Sequence, residues 1–175
     1  MKGDGPALKL SAVSVRFGNN SAVLDVDLTV GAGEVVGLIG TNGAGKSTLM
    51  NAVGGFVNAT GRIELLGTDV SAMAPDRRAR LGLGRTFQQA DLFPDLTVSE
   101  TVQVALEARH RAHLMSTVVA LPSARRGERR KRAEADELIA FFGLGRYANS
   151  FINELSTGTR RIVELSCLIG LEAKV

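Results

Sequence analysis

Three observations predict an α/β fold. The first half of the chain alternates apolar and polar residues in short runs, as half-buried strands do. An almost wholly apolar run, Val35 to Ile39, passes through a glycine-rich loop into a helical stretch. From Thr97 onward the apolar spacing is that of helices. The chain has 175 residues, 45% hydrophobic and 22% charged, which is about one domain with room for a sizeable core. A single cysteine excludes a disulfide framework and a cysteine-built zinc site, and points to a reducing interior. Met1 to Leu10 is polar and glycine-rich, so no signal peptide is expected there, and no apolar run has bilayer-spanning length. The net charge of +3 is too small to imply a nucleic-acid partner, and none is expected.

The elements follow in order. Val13, Val15 and Phe17 alternate with Ser14 and Arg16, the mark of a strand with one buried face. Gly18-Asn19-Asn20 turns the chain. Val26, Leu28 and Val30 then alternate with Asp25, Asp27 and Thr29, a second half-buried strand, and Gly31 to Glu34 forms another turn. Val35 to Ile39 reads as a strand covered on both faces. A helix is expected from Lys46 to about Gly54, and a short strand from Arg62 to Leu66. Asp76 to Leu81 fits one or two helical turns, Leu83 to Phe87 a short strand, and 91–95 a loop. Thr97, with Glu100 three residues on, is a capping box for a helix that buries Val98, Val102, Ala105 and Leu106. After Pro122-Ser123 a helix rich in Arg and Glu runs to about Phe142 and stops at Gly143. A last helix begins near Ser156 and is expected to carry Ile162, Val163, Leu165, Leu168 and Ile169 inward.

Gly40-Thr41-Asn42-Gly43-Ala44-Gly45-Lys46-Ser47 fits the pattern G-x-x-x-x-G-K-S/T between a strand and a helix. Glycines let the backbone close into a nest of N–H groups around phosphate oxygens. The helix start adds its positive end. Lys46 would reach the β- and γ-phosphates, and the Ser47 hydroxyl would be a Mg²⁺ ligand. A nucleoside triphosphate with Mg²⁺ is the expected ligand.

These residues carry a resemblance. Asn42-Gly43-Ala44-Gly45-Lys46-Ser47-Thr48 resembles the phosphate loop of ABC transporter ATPases. Phe17 stands where that family keeps an aromatic that stacks on adenine, although by itself it also suits a core aromatic. Arg85-Thr86-Phe87-Gln88 resembles the segment ending in the family's Q-loop glutamine. The resemblance implies that Gln88 meets Mg²⁺ or the attacking water and couples nucleotide state to membrane subunits; alone it reads as a solvated loop residue. Leu155-Ser156-Thr157-Gly158-Thr159 occupies the place of the signature motif, with Thr157 where a glycine and Thr159 where a glutamine is usual. Ser156 and Gly158 keep the hydroxyl and the close backbone approach, and Ser156 alone reads as a plain helix cap. Within the family, Gly84 to Gln88, Leu92-Phe93 and Leu96-Thr97-Val98 are most similar to branched-chain amino-acid and related polar-solute importers.

The resemblance implies an α/β P-loop NTPase core of the ABC ATPase type, with an antiparallel β-subdomain and a helical subdomain. It divides the chain into a nucleotide-binding core at 1–92, a helical subdomain at 93–155 and a signature helix at 156–175. It implies ATP and Mg²⁺ as cofactors, a second ATPase subunit sandwiching two ATP molecules, and transmembrane permease subunits that hold the protein at the cytoplasmic face of the membrane. The family also needs an apolar strand ending in a Mg²⁺-binding Asp, then a Glu that polarises water, and a later histidine. No stretch here ends four apolar residues with Asp-Glu, and His110 and His113 precede the signature. Binding without efficient hydrolysis is therefore expected, as from a fragment that stops before that strand. Two further readings stand beside this one: a non-transporter ABC-type ATPase, and a regulatory module that binds nucleotide without hydrolysing it. The basic run from Arg125 to Arg132 reads as a solvated helix laced with ion pairs, or as a contact for anionic lipid. Cys167, among apolar neighbours, reads as a buried structural thiol.

Overall fold

The computed structural model describes residues 5–86, 93–109 and 122–175, with the backbone alone at 108–109 and 122–131. They fall into two compact units, 1–83 with 174–175, and 84–173.

The first unit is built on β1 (Leu8–Phe17) and β2 (Asn20–Val30), a long antiparallel hairpin. β3 (Thr60–Leu65) pairs antiparallel with the other edge of β1, and the short β4 (Thr68–Asp69) follows, giving the sheet order β2-β1-β3-β4. Val13 and Val15 point inward as the alternation predicts, with Leu8 and Leu10 buried before them; Ser14 is buried as well and Phe17 is exposed, against the simple alternation. The register slips between Leu10 and Val13, and there the Ala12 N–H donates to the Asp27 carboxylate at 2.9 Å. Ile63, Leu65 and Val70 complete the core with Leu49, Ala52 and Val53 of α1 (Lys46–Gly54). α2 (Pro75–Leu81) starts with proline at its first position, where the missing N–H costs nothing, and ends at Gly82. The Gly82 carbonyl then accepts from Lys174 N at 2.7 Å and Val175 N at 3.1 Å.

Two expected strands of this region are not strands. Val35 to Ile39 carries no ladder, and Val35 and Ile39 are 97% and 99% exposed. A run apolar on both faces becomes a strand only when neighbouring backbones take up its N–H and C=O groups. Among the described residues none does. Leu83 to Thr86 is likewise irregular, and Phe87 lies outside the described residues. Leu83 N instead donates to the Arg78 carbonyl at 3.2 Å, closing the end of α2.

The second unit is helical. α3 (Val98–Arg109), α4 (Pro122–Phe141) and α5 (Thr157–Gly170) surround Val98, Val102, Leu106, Ala135, Ile139 and Val163. The capping box forms as expected: Thr97 N donates to Glu100 Oε2 at 2.8 Å, and Glu100 N to Thr97 Oγ1 at 3.2 Å. α4 ends before Gly143, as read. α5 corrects the sequence reading. It buries Val163, Glu164, Ser166 and Gly170, whereas Ile162, Leu165 and Ile169 are exposed. The apolar stripe was broad enough for two choices of inward face, and packing against α3 selected the one through Val163.

Candidate functional site: a phosphate loop with a bare helix start

The loop at 40–45 enters α1 with no side-chain cap. Gly45 is the N-cap residue at φ 81°, no side chain bonds to the helix start, and the first turn holds no acidic residue. The leading N–H groups of α1 are thus left to an outside acceptor, which is how a helix start binds an anion. Gly43, at φ 86°, turns the loop in the same left-handed sense. Glycine is required at 45 for a second reason. A Cβ there would run into the Ala22 carbonyl oxygen and come within 3.2 Å of Val23 Cγ2. The loop is therefore seated directly on β2.

Lys46 bends back over this loop. Its Nζ donates to the Gly40 and Thr41 carbonyls, each at 2.6 Å. The ammonium lies over the nest, where phosphate oxygens would be its stronger acceptors. Ala44 N bonds to the Thr41 carbonyl at 3.2 Å and Leu49 N to the Gly45 carbonyl at 2.8 Å, which fixes the loop shape. Thr41, Asn42, Gly43, Ala44 and Ser47 are exposed, so the nest and the hydroxyl face open space.

Phe17 sits at the end of β1, opposite Asn20, and is 55% exposed. Its hairpin abuts the phosphate loop through Ala22 and Val23. The ring itself lines an open cleft of about 310 Å³ with Arg16 and with Phe56, Val57 and Asn58, the residues just past α1. Gln88 lies outside the described residues, as do Phe87, Leu92, His110 and His113; of the basic run, Arg132 is exposed.

Ser156 and Gly158 belong to the second unit, at the start of α5. Ser156 caps the helix: its Oγ accepts from Thr159 N at 3.2 Å and shares a hydrogen bond with Thr159 Oγ1 at 2.9 Å. A Cβ at Gly158 would meet Ser156 Oγ at 3.9 Å, an ordinary van der Waals distance. Thr159, which stands where glutamine is usual, thus holds the serine hydroxyl. The Cys167 thiol lies 3.9 Å from the Thr101 carbonyl, and burial pushes its pKa up to about 11. The side chain is partly buried, not fully as read, and its neutral form is favoured.

The sequence reading missed Arg78. It is 3% exposed, and its guanidinium donates to four main-chain carbonyls, two of them at the end of α1. No motif marks it. An arginine among Asp76, Arg77 and Arg80 reads as one more solvated charge.

The fit to a nucleotide rests on the bare start of α1 and on Lys46 Nζ, which among the described residues donates to loop carbonyls. The backbone N–H groups of Gly43 and of 45–48, with the Lys46 ammonium, suit phosphate oxygens; that of Ala44 is bonded within the loop. For Mg²⁺ the described residues supply the Ser47 hydroxyl, and no cluster of acidic, His or Cys side chains stands nearby among them. That is enough for an ion that keeps several waters and takes most of its other ligands from substrate phosphates.

Comparison with known proteins agrees with these features. A sequence profile of the ABC transporter family matches residues 23–175. The high-affinity branched-chain amino acid transport ATP-binding protein BraF of Pseudomonas aeruginosa is 34% identical over 92% of the chain. LivG of Escherichia coli K12, also a high-affinity branched-chain amino acid transport ATP-binding protein, is 35% identical over 94%. The ribose import ATP-binding protein RbsA of Cereibacter sphaeroides is 35% identical over 98% of the chain. The chain spans 64% of BraF, 65% of LivG and 32% of RbsA. Among solved structures, an ATP-binding cassette of an ABC transporter superposes with a TM-score of 0.79 at 27% identity, over 97% of this chain and 66% of that one. A dimeric cassette in a post-hydrolysis state, bound to ADP and Pi, gives 0.74 at 26% identity, over 94% and 69%.

Proposed function

This chain belongs to the ABC transporter family, and we propose that it is the ATP-binding part of an importer for branched-chain amino acids or a related polar solute. The observation that carries the proposal is the phosphate loop: a left-handed glycine turn opening on an uncapped helix start, with Lys46 poised over it. In this reading the N–H groups of Gly43, Gly45, Lys46, Ser47 and Thr48 hold the phosphates, while Ala44, whose N–H is bonded to the Thr41 carbonyl, shapes the loop around them. Lys46 neutralises the β- and γ-phosphates, Ser47 takes Mg²⁺, and Phe17 stacks on the base. Mg²⁺, held by the Ser47 hydroxyl, would supply positive charge against the phosphates. Gln88, Ser156 and Gly158 keep the roles that the resemblance implies.

The resemblance to BraF and LivG supports the amino-acid class, and that to RbsA makes a sugar the second candidate. The partners in this reading are a second ATP-binding subunit and transmembrane permease subunits at the cytoplasmic face of a membrane. Among the described residues no helix is long and apolar enough to cross a bilayer, which suits a subunit attached through others. The proposed segments remain a core at 1–92, a helical subdomain at 93–155 and a signature helix from 156.

Binding is the activity to measure on this chain. Isothermal titration with Mg-ATP should give a saturable site. Lys46→Ala should weaken it by about 100-fold, the loss of one charge-assisted contact to phosphate, without shifting the unfolding midpoint of the empty protein. Equal affinity in both proteins would sink the proposal.

A further inference from the structure

Helix α1 has a partner at each end. Its start faces the ligand, and its last turn contains no basic residue of its own. The negative end of the helix is met instead by Arg78, which comes from α2, 26 residues along the chain from Ala52. Arg78 Nη1 donates to the Ala52 and Val53 carbonyls, both at 2.8 Å. Nε donates to Met73 O at 2.8 Å and Nη2 to Ser71 O at 3.1 Å. One planar group thus ties the end of α1 to the 71–73 turn and to α2.

The arrangement is a built one. Gly55, just past α1, has φ 78°, and a Cβ there would lie 2.9 Å from Arg78 Nε and 3.2 Å from Met73 O. The glycine leaves the space the guanidinium occupies. Among the described residues no carboxylate pairs with Arg78, so its buried charge is compensated by carbonyl dipoles alone. A buried charge without a counterion is costly. An apolar residue of similar volume would fill the space but leave the carbonyl ends of α1 unsatisfied and free to move.

We infer that Arg78 is a positioning residue for nucleotide binding, which clamps the carbonyl end of α1 so that the amide end holds its aim on the phosphates. This rests on the nucleotide reading of the loop. Arginine is needed for its geometry as well as its charge. The fork spans four acceptors in two segments, whereas a lysine ammonium can satisfy only part of that set.

The test uses Arg78→Lys and Arg78→Met in the full chain. Two readouts are compared: amide hydrogen exchange at Ala44 and Leu49 without nucleotide, and the affinity for a fluorescent ATP analogue with Mg²⁺. Arg78→Lys should stay folded, exchange Ala44 and Leu49 about tenfold faster while the β1 and β3 amides keep their protection, and bind the analogue about tenfold more weakly. Arg78→Met should do the same or more, and if it fails to fold, the lysine variant decides. Unchanged exchange at Ala44 and Leu49, or equal acceleration across β1 and β3, would reduce Arg78 to a stabiliser and overturn the inference. If the parent chain fails to bind the analogue, the nucleotide reading falls, and the exchange data still decide whether Arg78 holds the loop.

Discussion

Helix α1 in the first unit and helices α3 and α5 in the second begin in opposite ways. α1 has a glycine N-cap, no capping side chain and no acidic first turn. α3 closes its own start with Thr97 and Glu100, and α5 with Ser156 bonded to Thr159. A capped start has spent part of its N–H capacity on itself and gained stability, about 1 kcal/mol per cap. A bare start has forgone that gain and keeps the capacity for a ligand. One unit therefore holds its unsatisfied backbone at the surface on purpose, and the other uses short polar side chains to rigidify a helical core. α5 stands between the two: its cap hydroxyl serves the helix here, and the same hydroxyl is the one the resemblance directs to a phosphate.

The contrast can be broken most severely at Gly45. Gly45→Ala combines a left-handed backbone with a clash on β2, and should cost about 3 kcal/mol or more together with Mg-ATP binding. Chemical denaturation and titration read the two effects. A variant as stable as the parent would mean that the loop is not seated on β2 as described.

Thr48→Asp converts the bare start into a more self-sufficient one. An acid in the first turn should stabilise the nucleotide-free protein by about 0.5 kcal/mol. The same charge would face the phosphates, and affinity should fall more than tenfold. Gain and loss in opposite directions are the signature of a start kept bare for a ligand. A loss in both would count against it.

Thr97→Ala removes the box from α3 and should lower stability by about 1 kcal/mol with Mg-ATP affinity unchanged, by the same pair of measurements. The smallest effect is at Cys167. Its thiol pKa is raised, chiefly by burial and further by the nearby Glu164 charge, from 9.0 to about 11. The neutral thiol is thus favoured on folding. That stabilisation is complete below pH 9 and is lost as the pH climbs through about 11. Alkylation by iodoacetamide at pH 8 should be about 100-fold slower than for a free thiol, and equal rates would place Cys167 in solvent.

The loop, its helix and the two caps were legible because each is short-range. The glycine spacing, Thr97 with Glu100, and Ser156 at a helix start each involve residues within one or two turns of chain. The β1–β2 hairpin was legible from alternation, since one buried face suffices to specify it. Arg78 was not legible. Its role exists only because Ala52, Val53, Ser71 and Met73 bring their carbonyls to one point, and the sequence around it shows an ordinary charged turn. Ser156 was read as a cap, but the hydroxyl of Thr159 as its second partner was not.

By itself, then, the sequence determined the phosphate loop, the strand alternation of the first unit and the capped helices of the second. Tertiary structure alone decided that Val35 to Ile39 carries no ladder, that α5 turns Val163 and not Ile162 inward, and that a guanidinium closes α1. The physical reason is the range of the interactions. Caps, turns and one-sided strands are settled by hydrogen bonds and contacts between near neighbours in the chain. A two-faced strand, a helix with a broad apolar stripe and a buried charge each wait for partners whose positions are fixed only when distant segments come together.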